Sequence, residues 1–425
     1  MPVPPTLGDQ CSAAILAAGL GRRLEPLTVH HLPKPMFPLG GRTPIVEGWV
    51  RTLVTAGITD VSMNLCVLPE TLRRHFGDGT ALGANLGYVE EEVPSGTLGG
   101  ACRQAFDGAG RRGSTLIVPS GDIVTNFGSA EVDEMYELHK RSGAACSMIL
   151  VPVPWERRRD YGTVLLESPE SRPGSLSKAG PIEAFYEKDP DSPSNLNNAS
   201  IYMLEMDLLA ELDRLRTPAD LGLDRPFYDF GKHVFPAMLG LLRGLSLSRE
   251  YPLWGIEYDG AWFDVGQKRD YLRVNEEALA GRLTVAMPYE VQDWGYLGED
   301  SELDAGRVHI EPPVVVGDGC VIEPGARLGP YAVIGDGWRV ANGATIRHSV
   351  LWPRYPFFGP SGREIPIADR LGLDAHRVGP GVVVEESIVA GGDLTTDARE
   401  STVEVLADGR NSLRPIDWVP DQPRA

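Results

Sequence analysis

The chain has 425 residues and a formal net charge of −19, which is enough length for two domains with separate cores. The acidic balance disfavours a nucleic-acid-binding protein, and five scattered cysteines without a C-x-x-C pair disfavour disulfides and zinc sites. No apolar run approaches the ~20 residues of a membrane span, and the N-terminus has no signal-peptide pattern. We therefore expect a cytoplasmic protein with neither nucleic-acid nor membrane partners.

Short apolar strands alternate with helical patterns over the first two thirds of the chain. Strands are predicted at residues 11–16, 61–65, 116–118 and 147–153, and helices at residues 44–56, 69–76, 130–142 and 270–280. This alternation predicts an α/β domain of βαβ units with a mostly parallel sheet. In such sheets, ligands bind at the carboxyl ends of the strands.

The last third changes to a six-residue period. An aliphatic residue recurs at Val316, Ile322, Leu328, Ile334, Val340 and Ile346. This period predicts a parallel β-helix in which each repeat forms one face of a triangular coil. Because Val378 and Val384 resume the spacing after residues 352–377, that segment is predicted to be a loop inserted in the coil. The predicted boundaries are a first domain at 1–285, a linker at 286–313, the β-helix at 314–392 and a tail at 393–425 with one strand at 402–406.

A glycine-rich loop follows the first predicted strand. Gly19 and Gly21 allow a row of backbone N–H groups to approach an anion closely. Arg22, Arg23 and Lys34 add three cations nearby, a combination suited to holding a polyphosphate. The loop lacks both the P-loop spacing and the third glycine of a dinucleotide fingerprint.

This loop, together with Pro33-Lys34-Pro35, resembles the signature G-x-G-T-R-L-x-P-L-T…P-K-P of the sugar-1-phosphate nucleotidyltransferases, and especially of GDP-mannose pyrophosphorylase-like members. Arg22 stands where that family usually has threonine, so one hydroxyl contact to the triphosphate is in doubt. The resemblance implies a Rossmann-like catalytic domain followed by a left-handed parallel β-helix. It also implies that the nucleoside triphosphate is bound by Leu16, Ala18, Gly19, Gly21, Arg22 and Arg23.

Three later segments match the family pattern in order. Pro94–Gly100 resembles P-L-G-T-A-G, so that Gly96 and Thr97 would lie under the nucleobase. Asp122 follows a buried strand where the family places its first magnesium ligand, and Asp264, in a W-x-D-x-G segment, would be the second. Magnesium is usually held by one or two carboxylates, with phosphates and water completing the octahedron.

The acceptor side has its own matches. Tyr161-Gly162 resembles the start of Y-G-V-V, and Glu187-Lys188 resembles F-x-E-K-P with one residue inserted before the proline. Asn198 lies in a segment resembling N-A-G-I-Y. The resemblance implies that Glu187 accepts hydrogen bonds from sugar hydroxyls, that Lys188 holds the sugar phosphate and that Asn198 lies near the sugar.

The implied reaction is attack by an oxygen of a sugar 1-phosphate, or of a cyclitol analogue, on the α-phosphorus of a nucleoside triphosphate, with pyrophosphate leaving. The nucleophile is already an anion, so no general base is required. Arg23, Lys34 and Asp122 are expected to carry the catalysis, with Mg²⁺ as cofactor. Binding both substrates in line can lower the barrier by ~7–11 kcal/mol.

The resemblance also implies that Glu91, five positions before Gly96, faces the edge of the base. An ionised carboxylate only accepts hydrogen bonds, and guanine offers two adjacent donors, so GTP is favoured over UTP and dTTP. A structural alternative stays open, in which residues 90–92 form a solvated acidic turn.

Other functions stay open too. The chain could be a uridylyl-, thymidylyl- or adenylyltransferase of the same family, a hexapeptide-repeat acyltransferase using His348, or a non-catalytic homologue. We also expect a homo-oligomer, and we expect His30 and His31 on the surface.

Overall fold

The computed structural model describes residues 6–106, 113–215, 228–241, 247–353, 357–358, 364–365, 376–405 and 411–420. The helices in these ranges are α1 (Leu7–Gln10), α2 (Leu27–His30), α3 (Ile45–Thr55), α4 (Pro69–Phe76), α5 (Gly96–Phe106), α6 (Ser129–Ser142), α7 (Met206–Leu215), α8 (Phe235–Met238) and α9 (Lys268–Leu279). None of these helices has both the length and the apolar character needed to cross a bilayer.

The strands up to residue 264 are β1 (Cys11–Ile15), β2 (Pro38–Leu39), β3 (Thr43–Pro44), β4 (Asp60–Leu65), β5 (Asn85–Glu90), β6 (Thr115–Pro119), β7 (Ile123–Thr125), β8 (Cys146–Pro152), β9 (Gly162–Leu166), β10 (Glu170–Ser171), β11 (Leu176–Glu187), β12 (Leu196–Glu205), β13 (Leu253–Tyr258) and β14 (Trp262–Asp264). The predicted strands and helices of this part all form, with ends shifted by one or two residues. Helix α6, for example, ends where Gly143 takes a left-handed φ of +66°.

The chain folds into two compact units. The first consists of Met1–Gly19, Trp49–Cys66 and Arg73–Trp262, and the second consists of Leu20–Gly48, Val67–Leu72 and Phe263–Ala425. The glycine loop is therefore divided between the units just after Gly19.

A ten-stranded sheet forms the centre of the first unit. Its order is β10-β11-β13-β8-β12-β6-β1-β4-β5, with β9 pairing β11 and β12. The strands β5, β4, β1 and β6 are parallel, as predicted, and so are β8 and β13. The other pairs are antiparallel, since β12 runs against β6, β8 and β9, and β11 runs against β9, β10 and β13, so the sheet is mixed. The five cysteines of the chain, all in described ranges, form no disulfide.

The second unit contains a three-faced parallel coil. Its strands are β15 (Glu290–Gln292), β16 (Gly295–Leu297), β17 (Glu302–Leu303), β18 (His309–Ile310), β19 (Val314–Val316), β20 (Val321–Ile322), β21 (Arg327–Leu328), β22 (Ala332–Ile334), β23 (Arg339–Val340), β24 (Thr345–Arg347), β25 (Ser349–Leu351), β26 (Phe357–Phe358), β27 (Glu364–Ile365), β28 (His376–Val378), β29 (Val383–Glu385), β30 (Ile388–Val389), β31 (Gly392–Leu394), β32 (Ala398–Arg399), β33 (Ser401–Val405) and β34 (Asn411–Pro415). Apart from β26 and β27, which pair with each other in a separate antiparallel two-stranded sheet, successive strands visit three sheets in turn, and each of these three sheets is parallel except at β15 and β34. The predicted parallel β-helix is confirmed as a three-faced coil, while its left-handedness stays a prediction.

The six-residue period forms the interior of this coil. All six aliphatic residues of the period are at most 4% exposed, and they pack in one cluster with the small residues between them. The coil also resumes after the insertion, because Val340 pairs with Val378 and Ile346 with Val384. Of the predicted inserted loop, residues 354–356, 359–363 and 366–375 lie outside the described residues.

Within the second unit, the coil packs against the segment that carries Lys34. The ring of Phe37 lies 4.7 Å from that of Trp352, and the Trp352 indole N–H donates to the Tyr271 hydroxyl over 3.0 Å. His31 is buried, with Nε2 3.8 Å from Oε2 of Glu404, so the prediction of a surface His31 is wrong. Burial follows because the chain passes under the last coils at this point.

Candidate functional site

In the first unit, the glycine loop begins at the carboxyl end of β1. Leu16 forms a parallel bridge with Ser120, and its carbonyl accepts the Gly121 N–H over 2.8 Å. The next amide, Ala17 N–H, donates to Oδ1 of the buried Asn64 over 2.7 Å. The chain then passes Ala18 and turns out to the exposed Gly19. The backbone entering the loop is thus fixed on two sides.

Glu91 is almost completely buried and accepts three hydrogen bonds. Its Oε1 accepts from Asn64 Nδ2, and its Oε2 accepts from the backbone N–H and the hydroxyl of Ser95, each over 2.7 Å. A carboxylate has about four acceptor positions, so about one remains for a base edge, fewer than the two donors guanine offers. The alternative in which residue 91 lies in a solvated turn is wrong, since the residue is 1% exposed. The base contact of Glu91 stays a prediction.

The Gly96-Thr97 segment lies against the strand-like residues after position 227. Gly96 has a φ of +82°, and a Cβ there would lie 2.2 Å from the Tyr228 carbonyl oxygen, so only glycine fits. The Thr97 hydroxyl accepts the Phe230 N–H over 2.8 Å and donates to Asp229 over 3.3 Å. The hydroxyl of Thr97 is therefore already oriented within the first unit.

Asp122 stands just after β6, as predicted from the sequence. Its Oδ1 accepts from the Ser120 hydroxyl over 2.6 Å, and the Ser120 N–H donates to the Ser200 carbonyl over 2.9 Å. These bonds orient the carboxylate at the strand end.

In the second unit, the glycine loop brings its cations together with Asp264. Gly21 has a φ of +61°, and a Cβ there would lie 2.8 Å from Cγ2 of Thr28. Lys34 is 8% exposed, and its Nζ lies 3.2 Å from Oδ1 of Asp264. A Cβ on Gly266 would lie 3.2 Å from Nη2 of Arg23 and 3.3 Å from Oδ2 of Asp264, so the guanidinium and the carboxylate both border this glycine. Arg22, the preceding residue in the chain, is exposed.

The predicted magnesium ligands fit the ion by donor type. Asp122 and Asp264 both offer carboxylate oxygens, the hard donors that Mg²⁺ takes, and two carboxylates are a usual number. Among the described residues, no three His, Cys, Asp or Glu side chains cluster as a preformed metal cage.

The acceptor residues of the first unit do come together. Gly162 pairs with Glu187 across β9 and β11, and a Cβ on Gly162 would lie 2.9 Å from Oε2 of Glu187. The Lys188 N–H donates to the Tyr161 carbonyl over 3.0 Å. The Tyr161 ring lies edge-on to Trp262, with centroids 6.1 Å apart. Glycine at position 162 is therefore what lets the carboxylate approach the strand.

Two features of this cluster are electrostatically or conformationally unusual. Burial, followed by the neighbouring charge of Asp229, raises the pKa of the Glu187 carboxyl, although Lys188 and Lys232 oppose the rise. Lys188 has a left-handed φ of +54°, which costs a non-glycine residue about 1–2 kcal/mol. Such conformations are concentrated at functional sites.

Asn198 shapes a turn in β12. Its Oδ1 accepts the Ser200 N–H over 3.0 Å, and its Nδ2 donates to the Tyr202 hydroxyl over 2.9 Å. Ser200 has a φ of +58°, a conformation that favours the glycine of the N-A-G-I-Y pattern. Asn198 is thus a turn-forming residue as well as the predicted sugar neighbour.

Sequence reasoning missed Asn64 and Asp229. Asn64 holds both the loop entrance and Glu91, and Asp229 holds Thr97 and contributes to the raised pKa of Glu187. A polar residue at the buried end of β4 was a usable signal for Asn64. Asp229 had none, because its neighbours show no clear period.

His348, the residue on which an acyltransferase function would depend, is paired in the second unit. Its Nδ1 lies 2.8 Å from Oε1 of Glu276 in α9, and its ring lies 5.4 Å from that of Tyr331. These contacts give the residue a structural role in joining the coil to a helix.

Comparisons with known proteins agree on one family. A family model described as nucleotidyl transferase matches residues 12–281. The UTP–glucose-1-phosphate uridylyltransferase of Synechocystis is 27% identical over 405 residues, which cover 92% of this chain and 95% of the relative. The mannose-1-phosphate guanylyltransferase of Mycobacterium tuberculosis is 30% identical over 341 residues, which cover 79% of this chain and 83% of the relative.

A solved structure supports the fold. It is a Bacillus anthracis protein in complex with a sucrose, provisionally named a glucose-1-phosphate thymidylyltransferase. The two chains share 21% identity with a TM-score of 0.50, and the match covers 65% of this chain and 97% of the other. At this identity the likeness concerns the α/β fold alone.

Proposed function

Because this chain belongs to the nucleotidyl transferase family and is a sugar-1-phosphate nucleotidyltransferase of the GDP-mannose pyrophosphorylase-like kind, we propose that it is a guanylyltransferase. It would transfer the guanylyl group of GTP to a sugar 1-phosphate, with mannose 1-phosphate the first acceptor to test, or to a cyclitol 1-phosphate. The choice of guanylyl rests on the similarity to the mannose-1-phosphate guanylyltransferase, and the observation that supports nucleotidyl transfer itself is the placement of Arg23 and Lys34 beside Asp264. Two cations and a carboxylate around a glycine loop suit a triphosphate and its metal.

The proposed step balances without a proton transfer. An oxygen of the sugar 1-phosphate forms a bond to the α-phosphorus of GTP. The bond from that phosphorus to the oxygen bridging to the β-phosphorus breaks, and its electron pair leaves with pyrophosphate. Both reactants are anions, so the protein must offset their repulsion and align them.

The chain's own residues divide this work. Arg23 and Lys34 would bind the triphosphate and stabilise charge that develops on it. Lys188 would bind the sugar phosphate, and Glu187 would accept hydrogen bonds from ring hydroxyls. Asp122 and Asp264 would hold Mg²⁺, which when bound neutralises phosphate oxygens.

A second candidate is uridylyl transfer. It is favoured by the uridylyltransferase relative, which matches this chain over 92% of its length. The two functions use the same phosphate chemistry and differ in the recognition of the base.

Pyrophosphate release tests both candidates. GTP, UTP, dTTP and ATP are each assayed with mannose 1-phosphate, glucose 1-phosphate and a cyclitol 1-phosphate at saturating magnesium. We expect the highest kcat/KM with GTP. A highest value with UTP would replace guanylyl with uridylyl transfer, and no release with any pair would sink the proposed reaction. Light scattering of the same preparation tests the expected homo-oligomer.

A further inference from the structure

Arg158 joins two segments of the acceptor side through backbone contacts. It lies in the turn Trp155–Asp160, just before Tyr161. Its guanidinium donates to three carbonyl oxygens: Nη1 to Trp155 over 2.8 Å, Nη2 to Pro190 over 2.7 Å and Nε to Ser192 over 3.1 Å. A planar fork of five donors can make these bonds at once, and an ammonium cannot span them.

We propose that Arg158 is a positioning residue for the acceptor substrate. It fixes the loop of residues 189–192, which follows directly on Glu187 and Lys188, beside the turn that leads into Tyr161. This inference rests on the proposed function in one respect, the assignment of Glu187 and Lys188 to a sugar 1-phosphate.

The loop that Arg158 holds contains the residue inserted in the F-x-E-K-P pattern. Inside the loop, Asp189 Oδ1 accepts the Asp191 N–H over 2.9 Å. At its far end, the hydroxyls of Ser192 and Thr163 lie 2.6 Å apart, and both residues are buried. The end of the loop is thus tied to β9, and Arg158 ties its middle to the preceding turn.

The conformation of Lys188 shows why this support matters. A left-handed φ of +54° is unfavourable for lysine and persists only where the surroundings impose it. On one side, the Lys188 N–H is held by the Tyr161 carbonyl. On the other side, the following loop is held by Arg158. Releasing the loop lets Lys188 relax to an ordinary backbone conformation, which redirects its ammonium.

Arg158 is placed so that its loss should affect this loop more than overall stability. It is only half-buried, and its guanidinium carbon lies 4.8 Å from the ring centroid of Trp155, which is 51% exposed. Its removal therefore opens no cavity in the core of the first unit. The expected defect is in acceptor binding, with the nucleotide site intact.

The test compares Arg158→Ala and Arg158→Lys with Arg159→Ala, a matched control at the next, exposed arginine. Hydrogen exchange of the backbone amides of residues 188, 189, 191 and 192 is measured in the substrate-free protein, since Pro190 has no N–H. Steady-state kinetics are measured with the best sugar 1-phosphate and nucleotide of the wild type. Thermal unfolding is recorded for every variant.

For Arg158→Ala we expect faster exchange confined to residues 188–192 and an acceptor KM raised roughly tenfold, the equivalent of about 1.4 kcal/mol. The nucleotide KM should stay within about twofold of the wild-type value, which corresponds to a much smaller change in free energy. Arg158→Lys should show a smaller defect of the same kind, because it keeps the charge and part of the donor set. Arg159→Ala should match the wild type.

Unchanged exchange in Arg158→Ala would overturn the inference whatever the substrate is. Faster exchange with an unchanged acceptor KM would overturn it as well, since the loop would then position nothing. Equal increases in the acceptor KM and the nucleotide KM, together with faster exchange across the whole domain, would show instead that Arg158 has a general structural role. If the wild type uses no sugar 1-phosphate, the proposed function is wrong. The exchange comparison needs no substrate, so it distinguishes a failure of the proposed function from a failure of the role inferred for Arg158.

Discussion

Lys34 and Asp264, separated by 230 residues in sequence, form an ion pair of 3.2 Å between Nζ and Oδ1. The lysine belongs to the P-K-P segment after the glycine loop, and the aspartate belongs to the W-x-D-x-G segment before α9. Their side chains are 10% and 28% exposed, so the carboxylate keeps access to solvent while the ammonium is largely enclosed. The pair places a fixed cation next to the carboxylate that is proposed to hold Mg²⁺.

The first prediction concerns the two cations of the loop. Arg23→Ala and Lys34→Ala should each lower kcat/KM for the nucleotide at least about 100-fold, because each removes charge that offsets the triphosphate. The melting temperature should change little. Pyrophosphate release and thermal unfolding are measured together, with Arg141→Ala, at an exposed helix end, as control. A large loss of melting temperature with normal specific activity would mark either residue as structural.

The second prediction concerns the carboxylates. Asp122→Asn and Asp264→Asn should each reduce kcat by about 100-fold or more, because an amide is a poorer magnesium ligand than a carboxylate. The magnesium concentration at half-maximal rate should rise in parallel. Asp259→Asn, at an exposed aspartate, is the control. Wild-type kcat at saturating magnesium in either variant would refute the metal assignment.

The third prediction follows from the raised pKa of Glu187. Its pKa is raised by burial and by Asp229, so the folded state binds this proton more tightly than the unfolded state does. Folding stability contributed by this group therefore falls as pH rises from its ordinary pKa of 4.5 through the folded value. Glu187→Gln should raise the melting temperature at pH 7 relative to wild type, and the difference should vanish below the ordinary pKa.

The same variant should bind the acceptor less tightly, with a KM raised roughly tenfold for a lost charged hydrogen bond. Calorimetric unfolding between pH 3 and 8 measures the change in stability, and steady-state kinetics measure the change in the acceptor KM. A variant less stable than wild type at pH 7 would show that the burial penalty on the carboxylate is more than offset by its contacts.

Much of this arrangement could be predicted from the sequence because its signals are local. The six-residue period determines which side chains enter the coil, and all six are buried. A Cβ at Gly96 would meet the Tyr228 carbonyl, and a Cβ at Gly162 would meet the Glu187 carboxylate. Both motif glycines are therefore required on steric grounds. The buried strand β1 likewise follows from its apolar run.

What could not be predicted depends on contacts distant in sequence. His31 is polar and lies in a loop, yet Trp352 and Glu404 bury it, and no local pattern relates these three residues. Glu91 was expected to face the base, but the three hydrogen bonds that its carboxylate accepts from Asn64 and Ser95 were not foreseen. The mixed sheet could not be predicted for the same reason. The direction of β12 depends on the path of the chain between residues 152 and 196, and no local pattern reveals that path.

The fourth prediction concerns stability away from the site. Burial alone would raise the pKa of Glu205, yet hydrogen bonds from His139, Lys140 and Thr115 lower it to about 2. A lowered carboxyl pKa contributes stability that is present above the ordinary value of 4.5 and lost as pH falls towards 2. Because the Glu205 side chain is partly exposed, solvent screening reduces the full value of this shift, so Glu205→Gln should cost about 1–2 kcal/mol at pH 7 and progressively less in acid. Denaturant unfolding at pH 7 and pH 3 measures this, and an equal cost at both values would contradict it.

The last prediction concerns the base. The wild type should prefer GTP to UTP and dTTP, because an ionised carboxylate accepts from guanine donors, whereas the carbonyls of uracil and thymine would leave buried acceptors unpaired at about 1–3 kcal/mol each. In the structure, Asn64 and Ser95 fill three of the roughly four acceptor positions of Glu91. We expect one guanine donor to use the remaining position, and we expect Glu91→Gln to reduce the ratio of kcat/KM for GTP to that for UTP about tenfold, the equivalent of about 1.4 kcal/mol. Glu92→Gln, at the exposed neighbour, is the matched control. If kcat/KM falls equally for all nucleotides in Glu91→Gln, the residue acts on the loop through Ser95 and Asn64 and does not read the base.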